Sequence, residues 1–341
     1  MSWRWLAPLL LIACSAPGRA PAAAADLITP ERARTVVSDY WGKNEAANMA
    51  SDATLYDAIE TGAALVLDRA QAQRYAKLDK HLARPRPLRK VTVYVPHQAR
   101  YPAEFAARID TVGTNVNGEP SEEPVSFFNL FEKPSAGQDW KSSFFADPAP
   151  TGQVRIAIGK DGYATLVPGA GTHLAVEPAR LPNALADYLN AAAQGLGTDD
   201  LMFTGPGVES IARGSRRAID LARMAGFTLT EKSAAEPGFH AYRGPGGQAV
   251  VFFATTAERT LAASRPGACL VQNDRHQFPP EVAPGSYSRV ESQGLSLFIA
   301  SDPPATQGKA TLLGLISIDH DFRTLPADGP CAGTGPPPQN A

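Results

Sequence analysis

Asp319-His320-Asp321 is the densest run of ionisable side chains in the sequence, and a carboxylate beside an imidazole is the minimum apparatus for acid–base catalysis. The run ends a segment, Thr311 to Asp319, that alternates as a strand does. Asp319 and Asp321 are therefore expected on one face and His320 on the other. That arrangement works against a compact three-ligand metal site. It would let one aspartate orient an imidazole from elsewhere, with His240 and His276 as available rings; the plain alternative is a solvated strand end. The standard catalytic signatures are missing: no Gly-x-Ser-x-Gly, His-Glu-x-x-His, Cys-x-x-Cys or phosphate loop ending in Gly-Lys-Ser/Thr. Gly169-Ala170-Gly171 and Gly205-Pro206-Gly207 begin as dinucleotide turns do, but neither completes the pattern. No cofactor and no metal are expected.

A second kind of chemistry is recognition by apolar rings. Phe127, Phe128, Phe131, Trp140, Phe144 and Phe145 crowd into one short stretch. Such rings either fill a core or line a pocket. Phe127, Phe131, Trp140 and Phe145 are the ligand-pocket candidates.

The third chemistry is that of thiols, of which the chain has 3. The first 25 residues are laid out as an export signal, with Arg4 before an apolar stretch from Leu6 to Ala13 that is too short to span a bilayer. Leu11-Ile12-Ala13-Cys14 follows and resembles the lipobox of bacterial lipoproteins, which implies diacylglycerol on Cys14 and cleavage before it. Ordinary cleavage after Ala23-Ala24-Ala25, or an uncleaved anchor, are the competing readings. Two acyl chains give stable anchoring where one is marginal. Lipid on Cys14 leaves Cys269 and Cys331 either to pair in an oxidising compartment or to remain separate thiols; a pair would tie the tail to the body.

With Lys+Arg 32 against Asp+Glu 34 the net charge is −2, which leaves no basic excess for phosphates and no expectation of a nucleic-acid partner. A 44% hydrophobic content over 341 residues supports about two cores. The expected divisions are a signal peptide at 1–13, an Ala/Pro-rich tether at 14–26, α+β domains at 27–148 and 149–325, and a Pro/Gly-rich tail at 326–341.

The elements that must position these residues read as helices followed by antiparallel strands in each half. Thr29-Pro30-Glu31 is a helix start. A second helix is expected from about Asn44 to Ile59, stopped by Gly62. Strands are expected at Val91 to Val95, Phe105 to Val112, Val125 to Phe131 and Trp140 to Phe145, with a turn at Asn117-Gly118. In the second half come a hairpin, Val154 to Ile158 and Tyr163 to Val167, then helices at about Leu181 to Gln194 and Gly207 to Ala225. Strands follow at Phe227 to Lys232, His240 to Arg243, Gln248 to Ala254, Ser286 to Glu291, Leu295 to Ser301 and Thr311 to Asp319. Helices preceding antiparallel strands, without βαβ alternation, define an α+β class.

Tyr40-Trp41, Asn44, Ala47-Asn48, Asp52, Leu55 and Glu60-Thr61-Gly62 together resemble the opening signature of a family of exported proteins and lipoproteins of high-GC Gram-positive bacteria. Tyr56 departs from it, standing where a second leucine is expected. The resemblance runs from about Leu27 to Phe322. It implies two tandem cone-shaped domains of the nuclear-transport-factor-2-like (cystatin-like) kind, helices on curved sheets, and carries no activity. From the residues alone, Asn44 and Asn48 sit one turn apart and suit capping or cross-linking of the two helices, while Asp52 and Glu60 suit anchoring of donors at the following turn; a polar ligand site on that helix pair is the alternative.

The reading that results is a lipoprotein at the extracytoplasmic face of the cell membrane. Its expected role is a non-enzymatic binding or scaffolding module for a protein or small molecule. An isomerase or hydrolase using an Asp–His pair, and a carrier of an apolar ligand, are the alternatives.

Overall fold

The computed structural model describes residues 26–77, 86–114, 120–148, 154–198, 201–272, 281–329 and 331. Cys14, His276, the Asn117-Gly118 turn and most of the signal, tether and tail lie outside them.

Helix α1, Pro30–Ala50, starts where the capping signal places it, with Thr29 Oγ1 accepting from the Arg32 amide at 3.3 Å. Its buried residues Ala33, Val37, Tyr40, Trp41, Asn44 and Ala47 recur at helical spacing and form one stripe. The expected break before Asn44 does not occur. Gly42 has open space around it and is carried through the helix, which ends at Ser51 in the left-handed conformation, φ 51°. Asp52 then caps a short 3₁₀ turn, Ala53–Ala58, by accepting from the Thr54 amide at 2.9 Å. Gly62 is the first residue of α2, Gly62–Lys77, rather than the stop of a helix.

The first sheet is an antiparallel meander of β1 (Leu88–Tyr94), β2 (Ala103–Thr114), β3 (Pro120–Lys133) and β4 (Lys141–Ala146), in that order. Helices α3 (Leu181–Ala193) and α4 (Pro206–Met224) precede all but the first short strand of the second sheet. It runs β5 (Phe203–Thr204), β11 (Ala310–Pro326), β10 (Gly285–Asp302), β8 (Ala249–Ala263), β6 (Phe227–Ala235). Short strands β7 (His240–Arg243) and β9 (Leu270–Gln272) pair with β8 and β10, and β5 joins β11 in parallel. Both sheets curve, and the class is α+β as expected. Two strands read separately, Ser286 to Glu291 and Leu295 to Ser301, are one: β10 continues across a bulge opposite His320–Arg323, where Asp321 takes φ 51°. The expected hairpin near residue 160 keeps its turn, Gly162 N donating to Gly159 O at 3.0 Å, but has a single bridge, Ile158 to Ala164. Its arms pair outward instead, with Ala164 N donating to Val95 O and Val167 N to Ala241 O, both at 2.8 Å.

Alternation along the strands explains how the sheets stack. On β2 and β3, Phe105, Ile109, Phe127 and Phe131 face α1, whereas Ala106, Phe128 and Leu130 face the other way. On β8 and β10, Val251, Phe253 and Phe298 face α3 and α4, and Phe252, Leu297 and Ile299 face away from them. The two remaining faces meet in one core: Phe252 lies 5.6 Å from Phe144 and 6.3 Å from Phe128 between ring centres. The molecule is thus four layers, helix, sheet, sheet and helices, with α2 closing one end through Leu67 and Ala70.

Cys269 and Cys331 are joined by a disulfide with Cα atoms 5.5 Å apart, across a sequence separation of 62 residues. Closing a loop of that length removes unfolded-chain entropy equivalent to about 4 kcal/mol.

Candidate functional site

Among the described residues, His240 is paired with glutamates rather than with Asp319 or Asp321. Asp319 is held by the Arg259 guanidinium, which also binds Glu231 at 2.9 Å. His320 sits 3.2 Å from Asp321, which is exposed; strict alternation would have put these two on opposite faces, and the bulge at Asp321 breaks it. Among the described residues no group of three or more His, Cys, Asp or Glu is placed to hold a metal ion.

His240 has different partners. Its Nδ1 lies 2.8 Å from Glu104 of β2 and its Nε2 lies 2.9 Å from Glu132 of β3, while Tyr242 donates to the other Glu104 oxygen at 3.2 Å. Burial opposes a charge on the ring, but the hydrogen bonds to two carboxylates outweigh it and push the imidazole up to about 10. His240 also holds the Glu132 carboxyl below its usual range. An imidazolium donating from both nitrogens has no lone pair to offer a substrate, so this residue is an ionic clamp between the sheets. The raised histidine contributes stability that is complete below about pH 6.5 and lost as pH rises through about 10. The lowered glutamate contributes above about pH 4.5 and loses its share below that. H240Q should therefore lose about 1–3 kcal/mol at pH 7 in urea unfolding. The gap from the native chain should shrink between pH 8 and 10.5; a gap independent of pH would show that the imidazolium is not what the clamp uses.

The aromatic candidates divide between core and cavity. Phe131 is fully buried, stacked on Phe105 at 4.9 Å, and Trp140 meets Phe105 edge-on at 5.0 Å. Phe127 and Phe145 line a cavity of about 180 Å³ whose other walls come from α1, α2 and the strand ends. From α1 come Tyr40, Trp41, Asn44, Glu45 and Asn48, so the family-like signature is also a cavity wall. From α2 come Asp68, Gln71 and Tyr75. Asn129 of β3, Asp147, Arg86 and Ile316 complete it. The Asp147 carbonyl accepts from Leu315 N at 3.0 Å, and β11 can come so close because residue 314 is glycine: a Cβ there would lie 2.5 Å from that carbonyl oxygen.

Behind the α1 wall two carboxyl groups share a buried network. Tyr40 donates to Glu60 Oε1 at 2.8 Å, and the Asn44 amide reaches Glu60 at 3.2 Å and Asp68 at 3.3 Å. Asn48 donates to Asn44 Oδ1 at 2.9 Å, and Tyr56 donates to Asn48 Oδ1 at 3.0 Å. Burial, and then the neighbouring Asp68, push Glu60 up to about 10. Burial raises Asp68 to about 6, against the opposing pull of its hydrogen bonds to Glu60 and Asn44. Two carboxylates cannot bond each other without a proton, so at neutral pH Glu60 holds one and Asp68 carries the charge. Asn44 and Asn48 cross-link helices as their spacing suggested. Glu60 binds side chains rather than turn donors, whereas Asp52 does cap a turn.

Sequence reasoning missed Asp68, Glu45, Asn129 and Asp147. For Asp68 a signal existed: it falls four residues after Ala64 and four before Ala72, both buried, which places an acid on the apolar stripe of α2. Asn129 was equally readable, being in register with Phe127 and Phe131 on the inward face of β3.

No curated protein and no solved structure matches the chain. A family model described as a domain of unknown function, DUF8094, matches residues 24–319, and the chain belongs to that family.

Proposed function

We propose that this chain is a small-molecule binding module, held at the extracytoplasmic face of the cell membrane by lipid on Cys14, whose site is the cavity between α1, α2 and the first sheet. One observation carries the reading: the cavity joins aromatic walls to a buried amide oxygen, Asn129 Oδ1, that has no hydrogen-bond partner. Leaving such an atom dry costs about 1–3 kcal/mol, so a built site of this kind favours a polar occupant over an apolar one. The grouping of α1 and α2 on one curved sheet, and of α3 and α4 on another, supports reading the halves as two nuclear-transport-factor-2-like units. No helix among the described residues is long and apolar enough to cross a membrane.

Native mass spectrometry of the full chain should show a small bound species that is absent from Gln71→Trp, a change that fills the cavity from α2 without entering the core. A clean apo mass in both proteins would count against the site. Cys14→Ser should release the chain from the membrane fraction; unchanged retention would overturn the anchor.

A second reading is favoured by Asp68, a carboxylate poised near neutrality on the cavity wall with a protonated Glu60 behind it. Such a split pair suits proton transfer at carbon. Deuterium exchange from solvent into a bound ketone, lost in Asp68→Asn, would support that enzyme over the binding module.

A further inference from the structure

We infer that the cavity takes a small organic cation, an amine or ammonium compound seated between Asp68 and Asp147 and against the Trp41 ring. The inference rests on the binding reading above and names the class of ligand.

Three features of the cavity point the same way. The first is its hydrogen-bond balance, in which the side-chain amides, Tyr40 and Trp41 already donate within the protein. The Asn44 amide serves Glu60 and Asp68, the Asn48 amide serves Asn44, and Tyr40 serves Glu60. Gln71 donates to Tyr75 at 2.7 Å, Asn129 to Ser142 at 3.3 Å, and Trp41 to the Arg86 carbonyl at 2.9 Å. The atoms left without partners are acceptors: Asn129 Oδ1 and Asp147 Oδ1. A ligand that satisfies these two oxygens must donate, and an ionised carboxylate has no proton to give.

The second feature is charge. Three carboxyl groups, Glu45, Asp68 and Asp147, line the cavity against one guanidinium, that of Arg86. Arg86 is exposed and already committed to a ring, its guanidinium carbon 5.4 Å from the centre of Phe127. Burial raises all three carboxyl groups, the mark of anions taken out of water without enough counter-charge. A cation entering the cavity supplies that charge.

The third feature is shape and surface. Trp41, Phe127 and Phe145 line the cavity, and a cation set over an aromatic ring is attracted electrostatically. The volume of about 180 Å³ is slightly larger than the roughly 150 Å³ known to accept a benzene-sized guest, which fits a compact amine.

Isothermal titration of the purified full chain with 1,4-diaminobutane, tetramethylammonium, glucose and acetate separates the classes. At least one of the two cations should bind, and Asp147→Asn should weaken it roughly tenfold or more, as loss of a charge-assisted contact does. Asp220→Asn, on the exposed face of α4, should bind as the native chain does. If Asp147→Asn unfolds, Glu45→Gln at the same cavity gives the equivalent reading. Binding of glucose or acetate in preference to both cations would overturn the cation while leaving the small-molecule site standing. Cation binding unaffected by either carboxyl variant would overturn the placement. A native chain that binds none of the four and carries no co-purified species would sink both readings.

Discussion

Asn44→Leu should cost about 3–5 kcal/mol of unfolding free energy at pH 8, read as a drop in urea midpoint at unchanged slope. The side chain is 6% exposed and bonds both members of the Glu60–Asp68 pair. Leucine has nearly the same size, so the loss would come from stranding a buried charge rather than from a void. The sign of the pH dependence follows from the two raised carboxyls. Each contributes stability that is whole below its unfolded value, near 4, and is lost as pH rises through its folded value, about 6 for Asp68 and about 10 for Glu60. Below pH 5 Asp68 is protonated and can supply its own donor, so the penalty of the variant should shrink there. A penalty equal at pH 5 and pH 8 would mean that Asp68 is not the charge Asn44 serves. As a companion, Glu60→Gln should match the native chain near pH 4 and gain on it progressively as pH rises from there toward 10, because the amide keeps the neutral form that burial demands.

Phe252→Ala should be of similar size, about 3–5 kcal/mol, through a different cause. Phe252 has no exposed surface and its ring meets Phe128 and Phe144 of the first sheet and Tyr242 of its own. Removing it opens a void between two rigid sheets, where neighbours are least able to collapse inward. Loss should appear in one cooperative transition reported alike by tryptophan fluorescence, which samples Trp41 and Trp140 in the first half, and by far-ultraviolet circular dichroism. Two separated transitions would show that the sheets unfold independently.

Local signals were the readable part of the fold. The Thr29-Pro30 cap, the alternation of Val91 and Val93, and the close of α4 at Gly226 each depend on neighbours within a few residues, and each is where it was read. The failures came where context overrode a local sign. A second helix was read from Asn44 and a stop at Gly62, yet a long apolar stripe carries α1 through Asn44 and Gly62 opens a helix. Ser286 to Glu291 and Leu295 to Ser301 read as two strands, yet pairing with both β8 and β11 carries β10 through the residues between them. The candidate site was half legible. Phe127, Phe145 and the α1 signature could be named, but nothing local shows that Asp147, beyond the end of β4, is drawn against α1 and α2 by β11. Asp319 and His240 were sensible suspects by type. Their partners, Arg259, Glu104 and Glu132, lie 60 to 136 residues away in sequence, a separation no spacing rule reaches.

The core shared between the two sheets has a kinetic meaning as well. Two chains that met through such faces would find each other at a rate set by their abundance, and would part when diluted. Here each face has its mate on the same polypeptide, so the local concentration of the partner is fixed by the linker and is the same for one copy per cell as for thousands. Assembly is unimolecular, its stoichiometry cannot drift, and the cavity half is never without the half that braces it.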